Sequence, residues 1–375
     1  MSMSVSVAAL AWSLALFGQG GPGGHALRVV PPEMDVSATI RTIHSEGLPV
    51  ELLVIDVCRS GQALFPPPEG SPFVARSGFE SGAQLREWID EAHKAGLRVY
   101  AGMDLLRWVD PLSSDPNLLE ARPGLVEMDV GAMCNPRAAA GGGFASPWSG
   151  EVRDALRGLL TKLATDYPDL DGLYVAWSLS LDTYMGFSDA ARAASILAVG
   201  VDPVDFASWG PVDSEPAPVT AWLEWRLSSF REILGEIREA FRTASGGKPM
   251  LARAICGVGT WKPRYRAASC QDWLEWRFHS VVDDLVLEID LLRGVNTPIN
   301  EFRAGYRLYE SIKPLGQPYL LVPGELQGKR VSLPEAAERM DKWPLPQLPL
   351  FVDPSQADQL ESALALLGAL RDNER

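Results

Sequence analysis

The segment VLEID places two carboxylates, Glu288 and Asp290, in alternation with Leu287 and Ile289. In an extended strand this spacing sends both acids to one side and both aliphatic residues to the other. If the aliphatic side packs under helices, the acids face an interior, where a charge is costly unless it is paired. Two acids held there could do acid/base chemistry, one giving a proton and the other activating water or attacking directly. Read structurally, they would instead form a buried salt bridge to Arg253 or Arg59.

Other acids close apolar runs in the same way. Asp56 alternates with Val54 and Cys58, and Asp104 with Gly102, so each projects either onto a ligand or onto a loop backbone. Glu325, in GELQG, follows the run PYLLVP as a further acid or as a solvated loop residue. Asp182 lies beyond the run DGLYVAW, either reaching back over the strand end or acting as a turn or helix N-cap residue. Arg59 could hold a carboxylate by a bidentate contact, or pair internally with Asp56 or Glu288. His93 reads as a capping or surface histidine.

These residues need a frame, and the sequence supplies one. Short apolar runs alternate with longer amphipathic stretches: 26–30, 51–57, 97–104, 171–177, 250–257, 284–290, 318–323 and 348–352 read as strands. Helices are expected over 81–95, 150–167, 219–244, 272–280, 298–312, 334–342 and 355–371. In AQLREWIDEAHKAG, Leu85, Trp88, Ile89 and Ala92 fall on one face, and Gly96 stands where a left-handed cap belongs. About eight βα units without an internal boundary predict a single-domain α/β fold over 25–375, a (β/α)8 TIM barrel with long βα loops. Those loops are 58–80, 105–149 and 181–218. In such barrels the loops after the strands build the site.

The chain has 375 residues, 46% of them hydrophobic, and a formal net charge of -14. That charge, with Lys and Arg scattered, excludes a nucleic-acid or anionic-membrane surface and points to a neutral or weakly polar partner. Cys58, Cys134, Cys256 and Cys270 lack metal-site spacing, and no metal or cofactor is expected. The thiols read as buried, with a Cys134–Cys270 bridge as the alternative in an exported protein. The run Val5–Phe17 followed by GQGGPGG makes residues 1–24 either a signal peptide, for a secreted or periplasmic protein, or a disordered extension. It is too short to span a bilayer comfortably. The sequence does not set the oligomeric state.

Twelve tryptophans add a further signal. Trp108, Trp148, Trp177 and Trp261 follow strands or sit in the long loops, where flat aromatic faces would stack on sugar rings or fill loop cores. Trp222, Trp225, Trp273 and Trp276 recur at i, i+3 on helices and read as core.

Several segments, in order, resemble the family-10-like glycosyl hydrolases, a bacterial group of glycosidase barrels: IDVCRSGQALFPPP, LREWIDEAHKAGLRVYAGMDLLRW, SPWSGEVRDALRGLL, DGLYVAW, AICGVGTW and QDWLEWRFHSVVDDLVLEID. The resemblance implies hydrolysis of a polysaccharide or cell-wall glycan by a carboxylate pair, with Glu288, Asp290, Glu325 and Asp182 as catalytic candidates. Asp56, Arg59, Asp104, Trp108, Tyr174, Trp177 and Trp261 would contact the carbohydrate. One departure stands out: the family's Asp-Gly-Ile-His-x-Asp strand becomes Asp171-Gly172-Leu173-Tyr174-Val175-Ala176, without its second carboxylate. A barrel that binds a glycan without cleaving it, or serves a structural role, is therefore the alternative.

Overall fold

The computed structural model describes residues 24–109, 119, 122–128, 143–176, 185–206, 217–256, 270–289, 318–323, 325–326, 329–330, 332–333, 349–354 and 357–374. Eight parallel strands follow one another around a ring: β1 (His25–Val29), β2 (Val50–Arg59), β3 (Arg98–Asp104), β4 (Gly172–Ala176), β5 (Met250–Cys256), β6 (Asp284–Ile289), β7 (Tyr319–Pro323) and β8 (Leu350–Asp353). Because β1 pairs with both β2 and β8, the sheet closes. The expected (β/α)8 barrel is the observed fold.

Described helices are α1 (Val36–Glu46), α2 (Ala83–Lys94), α3 (Gly150–Asp166), α4 (Asp189–Val199), α5 (Ala217–Ala244), α6 (Trp273–Phe278) and α7 (Leu360–Glu374). The helices expected at 298–312 and 334–342 lie outside the described residues. Sequence periodicity did not single out α1 or α4, yet both are capped from the sequence. Asp35 accepts from the Ala38 N–H and Ser188 from the Ala191 N–H, while Gly47 and Gly200 end the helices in the left-handed conformation.

Strand alternation divides the core in two. Leu27, Val29, Leu53, Ile55, Val99, Ala101, Leu173, Ala252, Leu287 and Val322 belong to the cluster packed under the helices. Ala26, Leu52, Val54, Tyr100, Tyr174, Ala176, Leu251, Val286, Tyr319, Leu321 and Phe351 fill the barrel itself. The interior is therefore a packed layer, not a pore. Trp222, Trp225, Trp273 and Trp276 are buried, as their spacing suggested, and Cys58 and Cys270 are buried thiols. Among the described residues, no helix is long and apolar enough to cross a membrane.

The Asp-Gly start of β4 has two jobs. Asp171 accepts from the Val99 N–H at 2.7 Å and meets His93 Nε2 at 2.9 Å, tying β4 to β3 and to the end of α2. Gly172 lies against the Tyr100 ring, and a Cβ there would come within 2.6 Å of it. Gly172→Ala is expected to cost about 1–3 kcal/mol by urea unfolding, since the ring has packed neighbours on its other sides. A cost near zero would mean the ring moves freely.

The closing seam also carries a titratable group. His25, buried at the start of β1, accepts through Nδ1 from the Leu350 N–H of β8 at 3.0 Å. Burial lowers its pKa from 6.5 to about 4. Between those values the unfolded chain binds the extra proton, so stability is full above pH 6.5 and falls as the pH drops toward 4, by about 3 kcal/mol in all. His25→Asn keeps an acceptor for Leu350 and is expected to flatten this part of the stability-against-pH curve. An unchanged slope would rule the histidine out as its source.

Candidate active site at the barrel mouth

Above the apolar filling, six inward positions near the C-terminal ends of the strands are charged: Asp104 at the end of β3, and five that join one another. Arg28 sits between Leu27 and Val29, Asp56 between Ile55 and Val57, and Arg253 between Ala252 and Ala254; Glu288 follows Leu287, and Asp353 follows Val352. The pleat that sends these neighbours to the helices sends the charges inward. Arg28 donates to Asp56 through Nε at 2.9 Å and Nη2 at 2.5 Å, and through Nη1 to both oxygens of Asp353 at 3.1 and 3.0 Å. Arg253 donates from Nε to Glu288 Oε2 at 2.9 Å and from Nη1 to Asp353 Oδ2 at 3.4 Å. Asp353 thus joins two ion pairs into one chain, Asp56–Arg28–Asp353–Arg253–Glu288.

The electrostatics follow from burial and pairing together. Burial alone would pull the Arg28 guanidinium down, but Asp353 and Asp56 outweigh it and hold it well above its ordinary value. Arg253 is held up in the same way, with Glu288 as its larger partner. Three carboxylates against two guanidiniums leave the chain one negative charge in excess when all are ionised. Such a lattice is rigid, because breaking any link strands a buried charge. Tyr174 projects into it from β4, stacked on Phe351 at 4.8 Å with the Arg28 guanidinium 5.8 Å from its ring centre. Its hydroxyl is buried without a hydrogen-bond partner among the described residues, and burial pushes the phenol up against the pull of Arg253 and Arg28.

The sequence-derived candidates divide accordingly. Glu288 and Asp56 face the mouth, and the Arg253 bridge to Glu288 exists. Among the described residues Arg59 has no ion pair: the chain reverses at Ser60 and Gly61, both at positive φ, Arg59 is exposed, and Arg28 takes Asp56 instead. Asp104 is half-buried at the end of β3, in register with Ala176 of β4. Trp108 is packed inside, its ring 4.7 Å from Phe73 and its indole N–H donating to the Leu105 carbonyl. Trp148 is likewise packed, stacked on Trp225 and donating to Ser229 Oγ. Both fill loop cores and offer no open face to a sugar. Glu325 begins a two-residue strand paired with Lys329–Arg330. Asp182, Trp177, Trp261 and Asp290 lie outside the described residues.

Three residues were not read as site candidates. Arg28 and Asp353 each had a readable signal: a single charge breaking, or closing, an apolar strand. Glu127, in the loop after β3, gave none. It is fully buried and accepts from the Met128, Gly186 and Ser188 N–H groups and from the Ser146 and Ser188 hydroxyls, pinning the loops after β3 and β4 together. Burial pushes its carboxyl up, while these bonds pull it down. Among the described residues, no group of three or more His, Cys, Asp or Glu is arranged to hold a metal ion.

No protein-family model and no curated protein matches the chain. Solved structures do match in shape. The glycoside hydrolase domain of PgaB (BpsB) from Bordetella bronchiseptica superposes with a TM-score of 0.66 at 15% identity, over 94% of this chain and 99% of that one. The catalytic domain of β-amylase from Paenibacillus polymyxa gives 0.58 at 12% identity, over 94% and 98%. A β-galactosidase from the psychrophilic Marinomonas ef1 gives 0.54 at 12% identity, over 91% of this chain and 58% of that one. At such identities the likeness is one of fold, and that fold is the closed parallel barrel of these glycoside hydrolases.

Proposed function

We propose that this protein is a glycoside hydrolase that cleaves a polysaccharide or cell-wall glycan at the C-terminal mouth of its barrel, by carboxylate acid/base chemistry. The observation that carries the reading is Glu288: an inward, buried carboxylate at the end of β6, ion-paired with Arg253. Asp56 and Asp353 serve as scaffold for the two arginines. The likeness to glycosidase barrels and the ordered resemblance to the family-10-like group support the same reading. Export is part of it and rests on the Val5–Phe17 run; the N-terminal residue of the mature exported protein would test it.

A second reading has its own observation. Ala176 occupies the inner face where the resembling family carries a carboxylate, and Tyr174 fills the space below it. On that reading the barrel binds a glycan without cutting it. One experiment separates the two: the purified protein is assayed against a panel of polysaccharides and cell-wall oligosaccharides for binding and for release of reducing ends. Binding with release supports the hydrolase, binding without release the non-cleaving barrel, and neither sinks both.

A further inference from the structure

Glycoside hydrolysis usually uses two carboxyl groups flanking the scissile bond. On the hydrolase reading Glu288 is one, and Ala176 leaves the inner end of β4 without another. Among the described inward acids at the mouth, Asp56 and Asp353 are bound by arginine, and Glu288 is paired with Arg253. Asp104 differs from all three. It follows Tyr100 and Gly102 on the inner side of β3, and a Cβ on Gly102 would lie 2.7 Å from Asp56 Oδ1, which confirms the facing. It has no ion pair among the described residues and is half-buried where the other acids are buried.

Its position answers the missing carboxylate directly. Asp104 is the register partner of Ala176, one strand over at the same height, and the Leu105 N–H donates to the Ala176 carbonyl. The Leu106 and Arg107 N–H groups both donate to Asp104 Oδ1, at 3.3 Å, which fixes the carboxyl group. Oδ2 has no protein partner among the described residues. Around the ring β3 and β6 stand three strands apart, so Asp104 and Glu288 come from different sides of the mouth.

We propose that Asp104 is the proton donor of the reaction, a carboxyl group on β3 beside the inner position at which Ala176 leaves β4 without one; this rests on the hydrolase reading above. As the bond between C1 and the glycosidic oxygen breaks, the Asp104 carboxyl proton passes to that oxygen and the leaving sugar departs as an alcohol. Glu288, ionised beside Arg253, takes a proton from the water whose oxygen bonds C1. The two carboxyl groups then exchange protonation states with solvent and return to the start.

The test exploits the leaving group. On a glycan that the wild-type protein cleaves, Asp104→Asn keeps the acceptor for the two backbone N–H groups and is expected to lower kcat roughly 10²-fold or more, with glycan affinity nearly unchanged. On the 2,4-dinitrophenyl glycoside of the same sugar, whose leaving group departs without a proton, the variant is expected to retain most of its rate. A merely structural role would lower both rates together. The double variant Asp104→Asn with Ala176→Asp should regain activity on the glycan, and Asp104→Glu serves if the asparagine variant unfolds. Equal losses on both substrates, or an Asp104→Asn rate within about threefold of wild type on the glycan, would overturn the assignment and leave the hydrolase reading standing. A wild-type protein that releases nothing overturns both.

Discussion

Arg28→Met is expected to cost the fold about 3–5 kcal/mol, measured by urea unfolding at neutral pH. The substitution keeps much of the aliphatic volume and removes the charge. Asp56 and Asp353, whose side chains are only 3% and 6% exposed, would then be left without the guanidinium that binds both. Part of the cost would be recovered in the double variant Arg28→Met with Asp56→Asn, because one stranded carboxylate is gone. Arg59→Met is the control: its guanidinium is exposed without an ion pair among the described residues, and the change should stay within about 0.5 kcal/mol. If Arg28→Met costs no more than Arg59→Met, the charged lattice does not hold the barrel together.

On the proposed hydrolase reading, Glu288→Gln is expected to lower glycan cleavage by roughly 10²–10⁴-fold while binding persists. Glutamine preserves the shape of the side chain and one acceptor for Arg253, but it cannot take a proton from water. The loss should appear in kcat more than in KM, and it should be as large on an aryl glycoside as on a glycan, since the base acts in both. That pattern separates Glu288 from Asp104, whose loss depends on the leaving group. Arg253 still meets Asp353 in the variant, which limits the loss of stability. A Glu288→Gln protein with wild-type turnover would reduce Glu288 to the buried salt bridge that its sequence context equally allowed.

The barrel could be read because each strand announces itself twice, as an apolar run and as an alternation. The run gave β1 to β8 to within a few residues, and the alternation gave the inward facing of Asp56 and Glu288. α1 was harder because Val36, Thr39, Ile40, Thr42 and Ile43 are β-branched and weaken the helical pattern, while its caps at Asp35 and Gly47 are single residues. The site was half legible. Strand parity shows which acids point inward but not which cation each will find. Arg59 is the near choice in sequence, whereas Arg28 reaches Asp56 from the neighbouring strand across 28 positions, and Asp353 across 325. For Trp108 the sequence gave a place after a strand, and only packing against Phe73 settles that the ring turns inward.

The meeting of β1 with β8 bears on how the chain is made. β1 leaves the ribosome early, yet its partner Leu350–Asp353 is the last strand of the ring to be synthesised. Until then β1 and β7 each present an open edge, able to pair with whatever other chain is near. Arg28 and Arg253 meanwhile wait for Asp353, the carboxylate they share. Contacts across so long a stretch of chain form slowly, and the ring cannot close before Leu350–Asp353 has been made. A nascent chain halted before Leu350 should therefore stay a client of chaperones, and release of that final strand is the event that frees it.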